Sequence, residues 1–155
     1  MKISIHAHPL RNHVLPGWNE TIGGRWTYDQ LRADANWREG WISFDALTWD
    51  GQAGVLWCGL NSIDGDLLYA FDPAAGSFES MNTRSWCDEF DVKIHRTILR
   101  NSQDGCLYFA TSMLHDLNEQ HRAMGGKLVR FDPVKRSFEI LSVPVPHLYV
   151  QSIAA

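Results

Sequence analysis

From residue 42 onward, apolar positions recur at every second residue in short runs separated by turn residues. Ile42 to Trp49 alternates, Val55 to Leu60 is apolar and aromatic, Leu67 to Phe71 leads into a turn, and Phe78 to Met81 follows it. A second group runs His95 to Arg100, Cys106 to Thr111, Lys127 to Phe131 and Phe138 to Val143. Period-two runs of this length, bounded by Gly, Pro, Asp and Asn, predict eight short antiparallel strands.

The two groups are copies of one another. Phe71-Asp72-Pro73-Ala74-Ala75-Gly76-Ser77-Phe78-Glu79 matches Phe131-Asp132-Pro133-Val134-Lys135-Arg136-Ser137-Phe138-Glu139 in its Phe-Asp-Pro and its Ser-Phe-Glu. Upstream, Gly54-Val55-Leu56-Trp57-Cys58-Gly59 pairs with Gly105-Cys106-Leu107-Tyr108-Phe109-Ala110. The offset between copies grows along the repeat, so the second carries nine extra residues somewhere between Ser112 and Gly126. In each copy Asp-Pro marks a hairpin turn, because Pro presets φ and the Asp carboxylate can accept from the backbone two residues on.

Four antiparallel strands in a unit of this size read as a propeller blade. Asp104-Gly105-Cys106-Leu107-Tyr108-Phe109-Ala110-Thr111 and Gly54-Val55-Leu56-Trp57-Cys58-Gly59-Leu60 resemble the "D-G-x-L-W-F/I-x-T" strand of bacterial β-propeller repeats. These include the two-component-regulator, streptogramin-lyase-like and gluconolactonase-like propellers. The Phe-Asp-Pro-x-x-x-Ser-Phe-Glu segments are similar to their "Y-D-P-x-T-G-x-F" hairpin. The resemblance covers roughly residues 41–155 and implies a superfold more than any one family, since its motifs encode strands and turns.

The expected architecture is all-β, a partial β-propeller of four-stranded antiparallel blades. Residues 41–92 form one blade, and 93–148 a second with an inserted loop at 112–126. Residues 149–155 supply the first strand of a further blade, and 1–40 form a partial blade or an N-terminal extension. Two readings compete over that first stretch. Gly23-Gly24-Arg25-Trp26-Thr27-Tyr28-Asp29 echoes Gly125 to Asp132, and Lys2 to His6 alternates like a strand. Against this, Tyr28 to Arg38 reads as an amphipathic helix capped by Thr27 with Gln30. Two blades and a fraction do not close a ring, so the expected partners are the remaining blades of a longer chain, of which this would be a fragment, or further copies in a homo-oligomer.

Composition narrows the function classes. The chain has 155 residues, 45% apolar, with 14 Lys+Arg against 18 Asp+Glu and a net charge of −4. That content excludes a disordered chain and lacks the basic footprint of a duplex-binding protein, so nucleic acid is not an expected partner. No run of about 18 apolar residues is present to span a bilayer and no signal peptide is visible, which implies a cytoplasmic location if Met1 is the genuine start. Cys58, Cys87 and Cys106 are an odd set at long spacings, expected as free thiols rather than a disulfide framework.

If the first strand of each blade runs away from the ligand-binding face, then the loops between second and third strands share that face with the links between blades. Trp86, Asp88, Glu89 and Asp91 would stand there with the inserted loop. His95, His115, His121 and His147 would fall at the same end, as neutral imidazoles sharing a divalent metal must; of these, His95 and His115 are the metal candidates, although no certain cofactor follows. Trp86, His95, Arg96, His115, Asn118, His121 and Gln151 are the ligand-binding candidates, with aromatic faces and hydrogen-bonding groups suited to a sugar or peptide. Trp18 and Trp37 are further binding candidates, whereas Trp57 reads as packing between blades. The acidic run Asp88-Glu89-Phe90-Asp91 reads as a solvated turn, the alternative being a site for calcium.

Lys2-Ile3-Ser4-Ile5-His6-Ala7-His8-Pro9 also resembles the opening strand of amidohydrolase-like metalloenzymes. Ser4 stands where that family has Asp, and this chain is too short for the barrel that family requires. The leading expectation is a non-catalytic propeller module that binds a carbohydrate or protein through its loop face. The alternative is a propeller enzyme, a metal-assisted lyase or lactone hydrolase using the histidines of that face.

Overall fold

The computed structural model describes residues 27–115 and 117–154, together with Ser4, His6, Ala7 and Leu10. The alternation at Lys2 to His6 falls outside the described residues apart from Ser4 and His6, as do the 23–26 stretch, Trp18, His8 and His13.

The described chain is mostly antiparallel β-sheet. Its strands are β1 Ile42–Asp50, β2 Val55–Ser62, β3 Leu68–Asp72, β4 Ser77–Ser80, β5 Asp91–Arg100, β6 Leu107–Met113, β7 Leu128–Asp132 and β8 Ser137–Ser142. Each lies where the period-two runs predict it; β5 begins four residues earlier than expected. The sheet divides into two meanders, β1–β2–β3–β4 and β5–β6–β7–β8, joined where the end of β2 meets the start of β5 in a single register pair, Asn61 with Lys93.

The turns repeat as the sequence does. The Asp50 carboxylate accepts from the Gln52 amide at 3.0 Å, and the Asn101 side chain accepts from Gln103 at 2.9 Å. In the Phe-Asp-Pro hairpins Asp72 accepts from Ala74 and Ala75 at 2.7 and 3.2 Å, and Asp132 from Val134 and Lys135, both at 3.0 Å. These bonds hold the backbone in the turn through residues two or three apart, which is why the turn chemistry was legible.

The two meanders pack face to face on one core. Trp57 of the first meets Phe131 of the second edge-on at 5.7 Å, and Trp86 of the intervening link lies against Phe138 at 5.4 Å. Ala46, Leu68, Ile94, Ile98, Leu107, Phe109 and Val129 fill the space between. The approach is close at Gly59, where an added Cβ would stand 2.8 Å from Ile94 Cγ2.

Residues 28–40 settle as two short helices, α1 Tyr28–Ala33 and α2 Ala35–Gly40. The capping box forms as read: the Gln30 amide donates to Thr27 Oγ1 at 3.2 Å, and the Thr27 amide donates to Gln30 Oε1 at 2.8 Å. One amphipathic helix becomes two because Asp34 leaves helical geometry and caps the second through the Trp37 amide at 2.7 Å. No helix among the described residues is long and apolar enough to cross a membrane.

Tyr149 to Ala154, expected as a first strand of a further blade, forms no strand. A strand needs a ladder partner, and no described segment pairs with this one. Instead it lies along the second meander, where the Val150 carbonyl accepts from Ser112 Oγ at 2.9 Å.

Candidate functional site

The β2–β3 loop, the link from β4 to β5 and the inserted loop between β6 and β7 converge at one end of the sheet, beside α1 and α2. Their backbones are anchored by buried charge. Asp66 Oδ2 accepts from Ser80 Oγ at 2.5 Å and from the Asn82 amide at 2.6 Å, and its other oxygen accepts from the Thr83 amide and hydroxyl. Arg84 donates to three carbonyls, those of Gly65, Asp91 and Ser62, at 2.8, 2.7 and 2.7 Å.

The acidic run is not a solvated turn. Asp91 is fully buried: Thr111 Oγ1 donates to one oxygen at 2.7 Å and Lys127 Nζ to the other, while Lys127 also reaches Asp88 at 2.8 Å. Burial by itself would lower the Lys127 pKa; the hydrogen bonds and charges of Asp88 and Asp91 outweigh it and hold the ammonium above its usual range. The sequence signal for this was a lysine at the head of an apolar strand, a position where a cation requires a partner.

Above these anchors lies an open cleft of about 500 Å³ lined by Asp29, Arg32, Arg38, Asp64, Asp88 and Glu89 among others. Arg38 grips Asp64 in two-pronged fashion at 2.8–3.0 Å, and Arg32 pairs with Glu89. Arg122 of the inserted loop bonds Glu119 at 3.0 Å and reaches Glu89 at 3.6 Å. The Phe90 ring lies within 6.0 Å of both the Arg32 and Arg122 guanidinium carbons. The cleft is therefore mostly polar and lined by charges of both signs, with Ala33, Ile63 and Cys87 the apolar residues of its lining.

The candidate residues divide between several settings. His95 pairs through Nδ1 with Asp45, and Arg96 and Gln151 come together: with its amide oxygen turned towards Arg96, Gln151 accepts from Nη2 at 3.1 Å. His115 stands edge-on to Phe90 at 6.5 Å, while Asn118 and His121 lie exposed on the short 3-10 helix Leu117–Arg122. His147 Nδ1 donates to the Ala123 carbonyl at 2.7 Å, fastening the inserted loop to the C-terminal segment. Trp86 contributes to packing through Phe138. Trp37 is buried at 6% exposure and stacked on Trp41 at 5.0 Å, which removes it from the binding candidates.

His95 and His115 thus engage different partners. Among the described residues no group of three or more His, Cys, Asp or Glu gathers in a way that could hold a metal ion. All three cysteines are free, and burial pushes the Cys58 thiol up to about 11 and, with help from the Asp91 charge, the Cys87 thiol up to about 12. Asp45, which no motif singled out, is the partner that sequence reasoning missed. It lies 50 residues from His95, and only the packing of β1 on β5 joins them.

No family model, curated protein or solved structure matches the chain.

Proposed function

We propose that the chain is a non-catalytic β-propeller-type module: two four-stranded blades that bind a carbohydrate or protein ligand through the end where the loops converge. The observation that carries this reading is the equivalence of the two meanders. The Phe71–Phe78 pair, at 4.7 Å and 38°, has its counterpart in Phe131–Phe138, at 4.6 Å and 31°. The second pair is covered by Trp57 and Trp86, as successive blades cover one another. On the far side of the first meander Phe44, Leu47 and Trp49 are 44%, 56% and 56% exposed, where a neighbouring blade would stand.

The loop end supports a binding role because it is extended by the nine-residue insertion and contains the cleft, and repeat proteins carry ligands on the face that gathers their insertions. Binding of the purified chain to an array of glycans, in parallel with Arg38→Ala and Arg122→Ala, tests it. Signal on a defined glycan set that both substitutions weaken supports a carbohydrate module. An array without signal, from a chain whose circular dichroism is that of a folded sheet, removes the carbohydrate arm and leaves protein ligands. Light scattering tests the blade reading: assembly beyond a monomer that Trp49→Lys disrupts supports it, and a monodisperse monomer with an unaltered Trp49→Lys profile overturns it.

A further inference from the structure

Between the start of β5, the end of β6 and the C-terminal segment lies a smaller cavity, about 220 Å³, lined by Lys93, His95, Ser112, Met113, Leu114 and Tyr149. Two strand irregularities bring Asp45 to the His95 that lines it. Asp45 is the extra residue of a bulge in β1, between Phe44 and Ala46. In β5 the stretch from Ile94 to Ile98 lies opposite only Phe109 to Thr111, so His95, Arg96 and Thr97 leave the ladder. Arg96 sits at φ 58°, a left-handed conformation that a non-glycine residue adopts at a cost. Bulges of this kind re-aim a side chain, and here two of them meet to pair Asp45 with His95.

The pairing has a chemical consequence. A carboxylate on Nδ1 holds the neutral imidazole in its Nδ1–H form, which leaves Nε2 as a hydrogen-bond acceptor. Lys93, two residues away, lines the same cavity and brings a positive charge to it. Every other Lys and Arg among the described residues has a carboxylate or backbone carbonyl partner, whereas Lys93 has only the Trp41 ring at 6.0 Å and Arg96 only Gln151. No Asp or Glu among the described residues lines the cavity. A cation without a counter-ion beside a fixed acceptor nitrogen is complementary to a small molecule with one anionic group and one hydroxyl.

We infer that this cavity binds a small α-hydroxycarboxylate, its carboxylate on Lys93 and its hydroxyl donating to Nε2 of His95, with Asp45 as the positioning residue. The inference does not rest on the blade reading or on the charged cleft, because this chain alone supplies every group it uses.

The test is a titration of the full chain, labelled with ¹⁵N at histidine, with L-lactate, propionate and 1,2-propanediol in turn. The His95 ring signals are assigned by their loss in His95→Gln. Lactate is expected to shift the His95 nitrogens at lower concentration than either analogue, and Lys93→Met to weaken lactate roughly tenfold or more, the loss of one charge-assisted contact. Asp45→Asn is expected to shift the ring towards its Nε2–H form and abolish the lactate response. Propionate as effective as lactate overturns the hydroxyl contact, and propanediol as effective as lactate overturns the Lys93 contact. No shift with any of the three, or wild-type lactate affinity in Lys93→Met, overturns the site as a whole. Lys93 is only half-buried, so its variant carries the test if Asp45→Asn fails to fold.

Discussion

Arg100, the last residue of β5, reaches back to Asp50 at the end of β1, its Nε donating to Oδ2 at 2.7 Å while Nη2 donates to Gln52 Oε1 at 2.8 Å. The second meander thereby grips the β1–β2 turn of the first, at the end of the sheet opposite the charged cleft. Asp50 is 2% exposed and also accepts from the turn amides of Gln52 and Ala53 and from the Trp57 indole. Burial would raise this carboxyl; Arg100 and the other donors together hold it below the usual carboxylate range.

Because the folded-state pKa of Asp50 is depressed, its contribution to stability is fully present above the unfolded value of about 3.9 and is lost as pH falls through the folded value. Arg100→Ala leaves the buried carboxylate without its cation and is expected to cost about 2 kcal/mol at pH 7. Urea denaturation at pH 7 and pH 3 checks it: the gap between variant and wild type narrows in acid.

Lys127 carries the opposite sign. Its ammonium is held above the ordinary lysine range, so its contribution is complete below the unfolded value of about 10.4 and disappears as pH rises through the folded one. Lys127→Met strands Asp91 in the core without a counter-ion and is expected to cost about 3–5 kcal/mol at neutral pH. Much of that should return in Lys127→Met/Asp91→Asn, measured by the same denaturation.

At Gly59 the meanders leave no room for a methyl group, which would meet Ile94 Cγ2 at 2.8 Å and Ala46 Cβ at 3.1 Å. Gly59→Ala is expected to destabilise by about 1–3 kcal/mol through overpacking. Combined with Ile94→Ala, which removes the atom in the way, the effect is expected to be less than additive in thermal unfolding.

Gly76 and Arg136 occupy equivalent hairpin positions, both left-handed, at φ 64° and 55°. Gly76→Ala is expected to cost about 1 kcal/mol, since a Cβ is disfavoured there. Arg136→Gly should gain less than that, because it also gives up the Arg136–Glu79 contact at 2.5 Å and loosens the unfolded chain. Melting temperatures of the two variants decide the order.

Strand positions, hairpin turns and the Thr27 capping box were legible in the sequence because they depend on neighbours a few residues apart. Period two puts an apolar face on each run, and Asp72 or Asp132 bonds its own turn whatever lies beyond. The halving of the 28–38 helix was less visible, since it depends on Asp34 choosing to cap rather than continue. Trp37 was misjudged for another reason. A tryptophan in a link looks available until the packing of helices and meanders is known.

The amino-acid order by itself determined that this chain forms two copies of a four-stranded unit, because alternation and turn chemistry are local and repeat along the chain. Only the tertiary structure decided which charges meet. Asp45 with His95 and Asp50 with Arg100 are each 50 residues apart, and Asp91 with Lys127 is 36 apart. Such pairs depend on bulges that shift register and on how one meander lies over the other. It also decided that Tyr149 to Ala154 remains outside the sheet, for an alternating segment becomes a strand only where another offers its hydrogen bonds.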